Sequence, residues 1–248
     1  MTVVPERDAW KALAALVIGF FMILVDQTIV AVATEAFITQ LGATTNQVIW
    51  VTSAYLLAYV VPLLFTGRLG DQIGPRTVAI AGLVLFTGAS LWCGLAPDIE
   101  TLIVARVFQG VGAALLTPQS LSVITRVFAS GRRGAAMGVW GAVAGIASVV
   151  GPVLGGVLID AFDWRWFFFV NIPFWFVAVI LVWLWVPKLE TRRHSYDVRG
   201  ILLSAVGMFL LVYGVQQGES HGWGATTGAL IGLGLLALVA FLWWQSRV

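Results

Sequence analysis

Charge is scarce in this sequence. Only 10% of its 248 residues are Asp, Glu, Lys or Arg, against about 25% in an ordinary soluble domain. With 60% hydrophobic residues and a mean hydropathy of +0.95, the chain carries more apolar surface than folding alone could hide from water. Cysteine is nearly absent. Cys93 stands alone, which excludes an intrachain disulfide and a multi-cysteine metal site. The two histidines, His194 and His221, fall in polar stretches, so exposed loop side chains are expected there rather than metal ligands. A Ser-His-Asp order, a His-Glu-x-x-His pair and a phosphate loop of the G-x-x-x-x-G-K type are all missing. An ATP-driven pump therefore has no support, and no catalytic constellation is visible. The ten-residue alternating segments of a transmembrane barrel are missing too.

What is present is a series of apolar stretches near the ~20 residues that a helix needs to cross a bilayer. Eight are predicted, at roughly 10–33, 47–67, 77–96, 101–125, 137–160, 167–187, 199–217 and 224–245. The fold class is thus an all-α polytopic membrane protein. The first stretch is read as a span rather than a cleaved signal, because it is too long and Asp26 interrupts it. The connections are short. The longest polar stretch, "KLETRRHSYDVR" at 188–199, divides six helices from a final pair.

Lys and Arg placement sets the expected orientation. With both termini cytoplasmic, the inner side holds Arg7, Lys11, Arg68, Arg76, Arg126, Arg132, Arg133, Lys188, Arg192, Arg193, Arg199 and Arg247, which is 12 of the 14 basic residues. Arg106 falls within a span and Arg165 outside. The outer loops carry Asp98, Glu100, Asp160, Asp163 and Glu219. Basic loops facing the cytoplasm and anionic lipid account for the positive charge, so no nucleic-acid partner is needed.

Three stretches carry chemistry or unusual packing. In "GRLGDQIGPRTV" (67–78), Gly67, Gly70 and Gly74 allow a tight reversal between helix ends, and Asp71 and Arg76 place opposite charges in it. The pair reads either as a latch between helix bundles or as solvated charges on a glycine-rich turn. In "LIVARVFQGVGAALLTPQS" (102–120), Arg106 lies inside a span beside Gln109 and Gly110. It either turns inward to protein or snorkels to the outer interface. In "GIASVVGPVLGG" (145–156), Gly151 and Gly155 share one helical face, where a second helix could approach closely. Pro152 loosens the helix and Gly156 adds another small residue. The stretch is either a pliable hinge or plain close packing. By the ~1.5 Å rise per residue, Asp26 and Arg106 come to similar depths in the outer half of the membrane. They are expected to approach one another in at least one state, since an opposite charge stabilises both. Asp26 facing an outer vestibule is the alternative.

These stretches resemble signatures of the major facilitator superfamily. Gly67, Leu69, Asp71, Gly74 and Arg76 match its loop motif, with Gln72 where many members are basic. Arg106, Gln109, Gly110, Gly112 and Ala114 match its fourth-helix motif. Gly151, Pro152, Gly155 and Gly156 match the fifth-helix motif of its drug-exporting antiporters, with Ala147 replacing a usual Gly. "LVDQTIVAVA" (24–33) resembles the first-helix motif of the fourteen-helix drug:proton branch through Asp26, Thr28, Ile29, Val30, Val32 and Ala33, with Ala31 in place of Asn and Thr34-Glu35 in place of Leu-Pro. "WRWFFFVNIP" (164–173) resembles a segment before the sixth helix of that branch, and its Trp residues suit an aromatic belt. "YDVRGILLSAVGMFLLVYGVQQGESHGW" (196–223) resembles the branch's seventh helix and the loop after it.

The resemblance implies a six-helix amino-terminal bundle over residues 1–190 and an added helix pair over 191–248, with the carboxy-terminal bundle absent. It implies the amino-terminal part of a proton-coupled exporter of amphipathic or hydrophobic small molecules in the cell membrane. The lipid bilayer and a second half supplying the missing bundle are the implied partners. No cofactor is implied beyond the proton gradient as energy source. Asp26, Arg106 and Gln109 would serve proton coupling and transport, Gly67, Asp71, Gly74 and Arg76 the conformational loop, and Gly151, Pro152, Gly155 and Gly156 the hinge or packing helix. The rival expectation is a non-transporting, membrane-embedded interaction or structural module.

Overall fold

The computed structural model describes residues 5–191 and 197–247, apart from the side chains of 219–221. Arg192, Arg193 and His194, and the side chains of Glu219 and His221, lie outside the described residues. The rest is helical, joined by short turns, with no strand among the described residues.

Among the described residues, seven helices are each long and apolar enough to cross a membrane. The first span is Glu6–Leu41, the third Pro75–Gly94, the fourth Ile99–Val127, the fifth Ser130–Ala161, the sixth Trp166–Trp185, the seventh Val198–Gly218 and the eighth Ala225–Gln245. The second span is a pair, Thr45–Val60 and Leu63–Ile73, bent by 45°. The bend falls at Pro62, which has no backbone N–H to continue the ladder.

Local chemistry sets the ends. Gly42 (φ +63°) and Gly74 (φ +102°) adopt backbone conformations that side-chain-bearing residues avoid, and they close the first and second spans. Thr44 and Gln47 form a reciprocal capping box that opens the second span. Pro75 occupies the first position of the third span. Asp98 caps the fourth by accepting from the Thr101 N–H at 2.8 Å, and Asp197 caps the seventh by accepting from the Gly200 N–H at 2.9 Å.

Two boundaries differ from the expectation. The first span continues past residue 33 through a 3₁₀ turn, Val30–Ala33, into Thr34–Leu41. Thr34 and Glu35 are tolerated in a helix, and nothing stops it before Gly42. The stretch 67–78 is not a loop: Gly67 and Gly70 sit in the last turns of the Leu63–Ile73 helix, and only Gly74 makes the reversal. Gly70 is small for another reason, because a Cβ there would overlap the Gln119 amide on the fourth span.

Where helices lie among lipid-like neighbours, close backbone approach and van der Waals contact hold them together. Gly82 and Gly112 let the third and fourth spans meet: a Cβ at Gly82 would stand 2.8 Å from the Gly112 carbonyl oxygen, and one at Gly112 2.7 Å from the Phe86 nitrogen. The buried apolar residues form two clusters. One includes Leu16, Ile23, Leu83, Phe86, Leu116 and Trp175, and the other Ile29, Phe37, Val51, Leu102, Trp164 and Phe168. Trp164 is fully buried, edge-on to Phe37 at 5.2 Å. It therefore belongs to the core rather than to a lipid-facing belt, unlike the exposed Trp166. The seventh and eighth spans pack chiefly against each other, and the seventh also against the second.

Candidate functional site

Between the two apolar clusters, one turn of the first span places Asp26 between Ile23 and Ile29. The carboxylate is fully buried and surrounded by donors. Arg106 Nη1 donates to Asp26 Oδ2 at 2.5 Å. Gln109 Nε2 donates to Oδ1 at 2.9 Å, and Asn171 Nδ2 donates to the same oxygen at 3.3 Å. Arg106, Gln109 and Asn171 are themselves fully buried.

Neighbouring spans hold Arg106 in place. Its Nη1 also donates to Gln109 Oε1 at 2.6 Å, one helical turn along, and its Nε donates to the Val51 carbonyl at 3.3 Å. The guanidinium stacks over the Tyr55 ring at 4.1 Å. Gly110 makes this approach possible, since a Cβ there would overlap the Tyr55 carbonyl and stand 3.0 Å from Ala58 Cβ. From the third span, Cys93 Sγ donates to Gln109 Oε1 at 3.6 Å. Asn171 is fixed by a second bond from its Nδ2 to the Phe167 carbonyl at 3.0 Å. The fourth and sixth spans thus meet the carboxylate of the first, and the second and third spans brace Arg106 and Gln109.

The site is a buried charge pair with two amides as auxiliary donors. Ionised Asp26 is compensated by Arg106. Protonated Asp26 would leave the guanidinium unanswered and two amide donors facing a neutral acid. Protonation of this one group therefore changes what holds the first, fourth and sixth spans together. Among the described residues, Arg106 Nη2, Tyr55 Oη and Asn171 Oδ1 are buried without a hydrogen-bond partner, so donors and an acceptor remain around the pair. Among the same residues, no three His, Cys, Asp or Glu side chains gather as a metal site.

Sequence reasoning singled out Asp26, Arg106 and Gln109, and the structure brings these three together. Asn171 and Tyr55 were missed. Asn171 lies in the "WRWFFFVNIP" stretch, where an amide inside an apolar span was the available signal. Tyr55 gave none, because its ring is indistinguishable in sequence from any aromatic in a span.

The other expected groups distribute differently. Asp71 and Arg76 do not pair with one another. Asp71 faces Arg126 at 3.9 Å, and Arg76 lies over the Trp183 ring at 5.9 Å. Asp71 lies at the end of the Leu63–Ile73 helix and Arg76 at the start of the next, on opposite sides of the Gly74 reversal. Gly67 meets only Pro118 Cβ, at an ordinary 3.6 Å. In the fifth span, Gly151 and Gly155 face the first span. Gly151 abuts Thr28, and a Cβ on Gly155 would lie 3.1 Å from Ile29 Cγ1 and 3.2 Å from Val32 Cγ2. This close approach lies within the helix bundle, next to the Asp26 turn. Gly156 takes no part in it: a Cβ there would meet nothing within 4 Å. Pro152 is exposed, and the helix runs unbroken through it.

Comparison with known proteins follows the same lines. A family model described as the Major Facilitator Superfamily matches residues 16–247. An uncharacterized MFS-type transporter of Mycobacterium tuberculosis is 51% identical over 243 residues, covering 97% of this chain and 42% of that protein. The tetracenomycin C resistance and export protein of Streptomyces glaucescens is 35% identical over 241 residues, covering 96% of this chain and 45% of that protein. Among solved structures, a bacterial homolog of the human lysosomal transporter Spinster, inward-facing and unoccupied, superposes with a TM-score of 0.64. The match covers 96% of this chain and 61% of that one at 17% identity, a likeness of fold. The chain spans less than half the length of these two curated relatives.

Proposed function

This chain belongs to the Major Facilitator Superfamily, and on that premise we propose that it is the amino-terminal part of a proton-coupled exporter of amphipathic or hydrophobic small molecules. The exporter sits in the cell membrane with the basic loops and both termini cytoplasmic, and works by alternating access with a second bundle. One observation carries the reading: the fully buried Asp26–Arg106 pair, braced by Gln109 and Asn171. Intramembrane charges are costly and tend to mark ion or substrate pathways. Here the charge pair and Asn171 tie three spans together, so binding or losing a proton at Asp26 changes the balance between arrangements of those spans. The proton gradient supplies the energy, and the substrate class follows relatives such as the tetracenomycin C export protein.

The test is Asp26→Asn in the full-length protein that contains this chain, with substrate binding and pH-driven efflux measured separately. Asparagine keeps the shape and one acceptor oxygen but carries no exchangeable acid proton. Binding is expected to survive while uphill efflux fails. Unchanged pH-dependent efflux would remove Asp26 from the mechanism. The 248-residue chain expressed alone is expected to insert but to export nothing, and dye efflux above the empty-vector rate would contradict that.

A further inference from the structure

Two clefts of about 370 Å³ each flank the Gly74 turn. They have similar volume but differ in charge. The first lies between the second span and the seventh–eighth pair, and Arg68 and Asp71 balance one another in its lining. Arg68 there is already engaged, donating to Gln245 Oε1 at 3.1 Å and facing Asp197 at 3.9 Å. The second cleft lies between the start of the third span and the end of the sixth. Its lining includes Arg76 and Lys188 and no acid. Among the described residues neither cation has an ion-pair partner.

The lining of the second cleft combines two chemistries. Arg76, Lys188, Thr77 and Thr191 are its polar members. The third span opens there without a side-chain cap, so the first N–H groups after Pro75 add positive potential. Ile73, Ile80 and Trp183 form an apolar wall. Ile73 is 51% exposed and Trp183 60% exposed. Trp183 lies beneath the Arg76 guanidinium at 5.9 Å, near the end of the sixth span, and aromatics at span ends suit the membrane–water interface.

We infer that this cleft binds one anionic phospholipid, its phosphate held between Arg76 and Lys188 and an acyl chain laid along Ile80 and Trp183. Charge complementarity selects the anion, and the apolar wall selects a lipid over a free phosphate. Such a lipid would bridge the Gly74 turn and the end of the sixth span. This inference does not depend on the transport reading, and binding is its readout.

The test is native mass spectrometry of the full-length protein titrated with phosphatidylglycerol or with phosphatidylcholine of the same chain length. Each cation near a membrane surface contributes about 1 kcal/mol toward anionic lipid, so Arg76→Gln with Lys188→Gln is expected to weaken one phosphatidylglycerol-binding step about thirtyfold. Arg132→Gln with Arg133→Gln removes equal charge from the same end and is expected to leave that step unchanged. Phosphatidylcholine binding should ignore both pairs. Millimolar inorganic phosphate should fail to displace the bound lipid. Should the double variant not fold, Lys188→Gln alone, at an exposed position beyond the sixth helix, is expected to show about a fivefold loss. Equal losses in the two double variants, no loss in the Arg76/Lys188 variants, or displacement by inorganic phosphate would each overturn the assignment.

Discussion

Arg106 Nη1 lies 2.5 Å from Asp26 Oδ2 across eighty residues of chain, and neither side chain reaches the surface. The two residues come from spans running in opposite directions and meet between two apolar clusters. Arg106 answers the Asp26 carboxylate, and the Val51 carbonyl and Tyr55 ring hold Arg106 at the correct height. A pair this dry is costly to form and costlier to break from one side only.

That asymmetry gives the first prediction. Arg106→Met leaves a buried carboxylate uncompensated and should destabilise the protein by about 3–5 kcal/mol. Adding Asp26→Asn to it should recover much of that loss, because no lone charge remains. Thermal or denaturant unfolding in detergent across the double-mutant cycle measures the coupling. Additive losses would show that the pair is not energetically linked.

The fifth span supplies the second. Gly155→Leu would push a bulky side chain into Ile29 and Val32 and separate the first and fifth spans beside the Asp26 turn. Efflux by the full-length protein should be abolished with expression largely intact. Gly156→Leu points into open space within this chain, so it should leave the first–fifth packing intact. Crosslinking of cysteines placed on the two spans would report the separation. Similar crosslinking in both variants would contradict the assignment of faces.

A third concerns Gly70. A Cβ there would overlap Gln119, whose Nε2 donates to the Thr66 carbonyl at 2.9 Å. Gly70→Ala should cost about 1–3 kcal/mol through overpacking. In a Gln119→Ala background the same substitution should cost little, because the obstructing amide is gone. Comparison of unfolding midpoints for the four proteins decides it.

The fourth is a pH effect at the added helix pair. Hydrogen bonding from the Gly200 N–H, with further donors from Trp244 and Gln245, holds the Asp197 carboxyl below its usual range. A depressed folded value means that Asp197 stabilises the fold above the unfolded value of about 3.9, and that this contribution fades as pH falls through the folded value. The gap in unfolding midpoint between wild type and Asp197→Asn should therefore be present at neutral pH and shrink below about pH 4. A gap that stays constant across that window would exclude the linkage.

Much of the architecture was legible in the residues. Apolar run length gave eight spans because a bilayer requires that length whatever the neighbours are. Gly74 marked a true reversal, since its φ is one that other residues avoid. Helix ends were less legible. The apolar stretch was bounded at residue 33, but Thr34 and Glu35 do not stop a helix, and the first span runs on to Gly42.

What hydropathy and spacing determined, then, was the class of protein, the number of spans, and that Asp26 and Arg106 lie at matching depth. These are properties of one helix at a time, set by length, rise per residue and the cost of charge in an apolar medium. Only the tertiary structure decided which way each helix turns its faces. It put Asn171, 145 residues away, on the Asp26 carboxylate. It gave Asp71 to Arg126 rather than to Arg76, and it turned Gly155 inward while leaving Gly156 outside. The physical reason is that helix rotation is fixed by the fit of side chains from other spans, and a helix read alone carries no record of the surface it will meet.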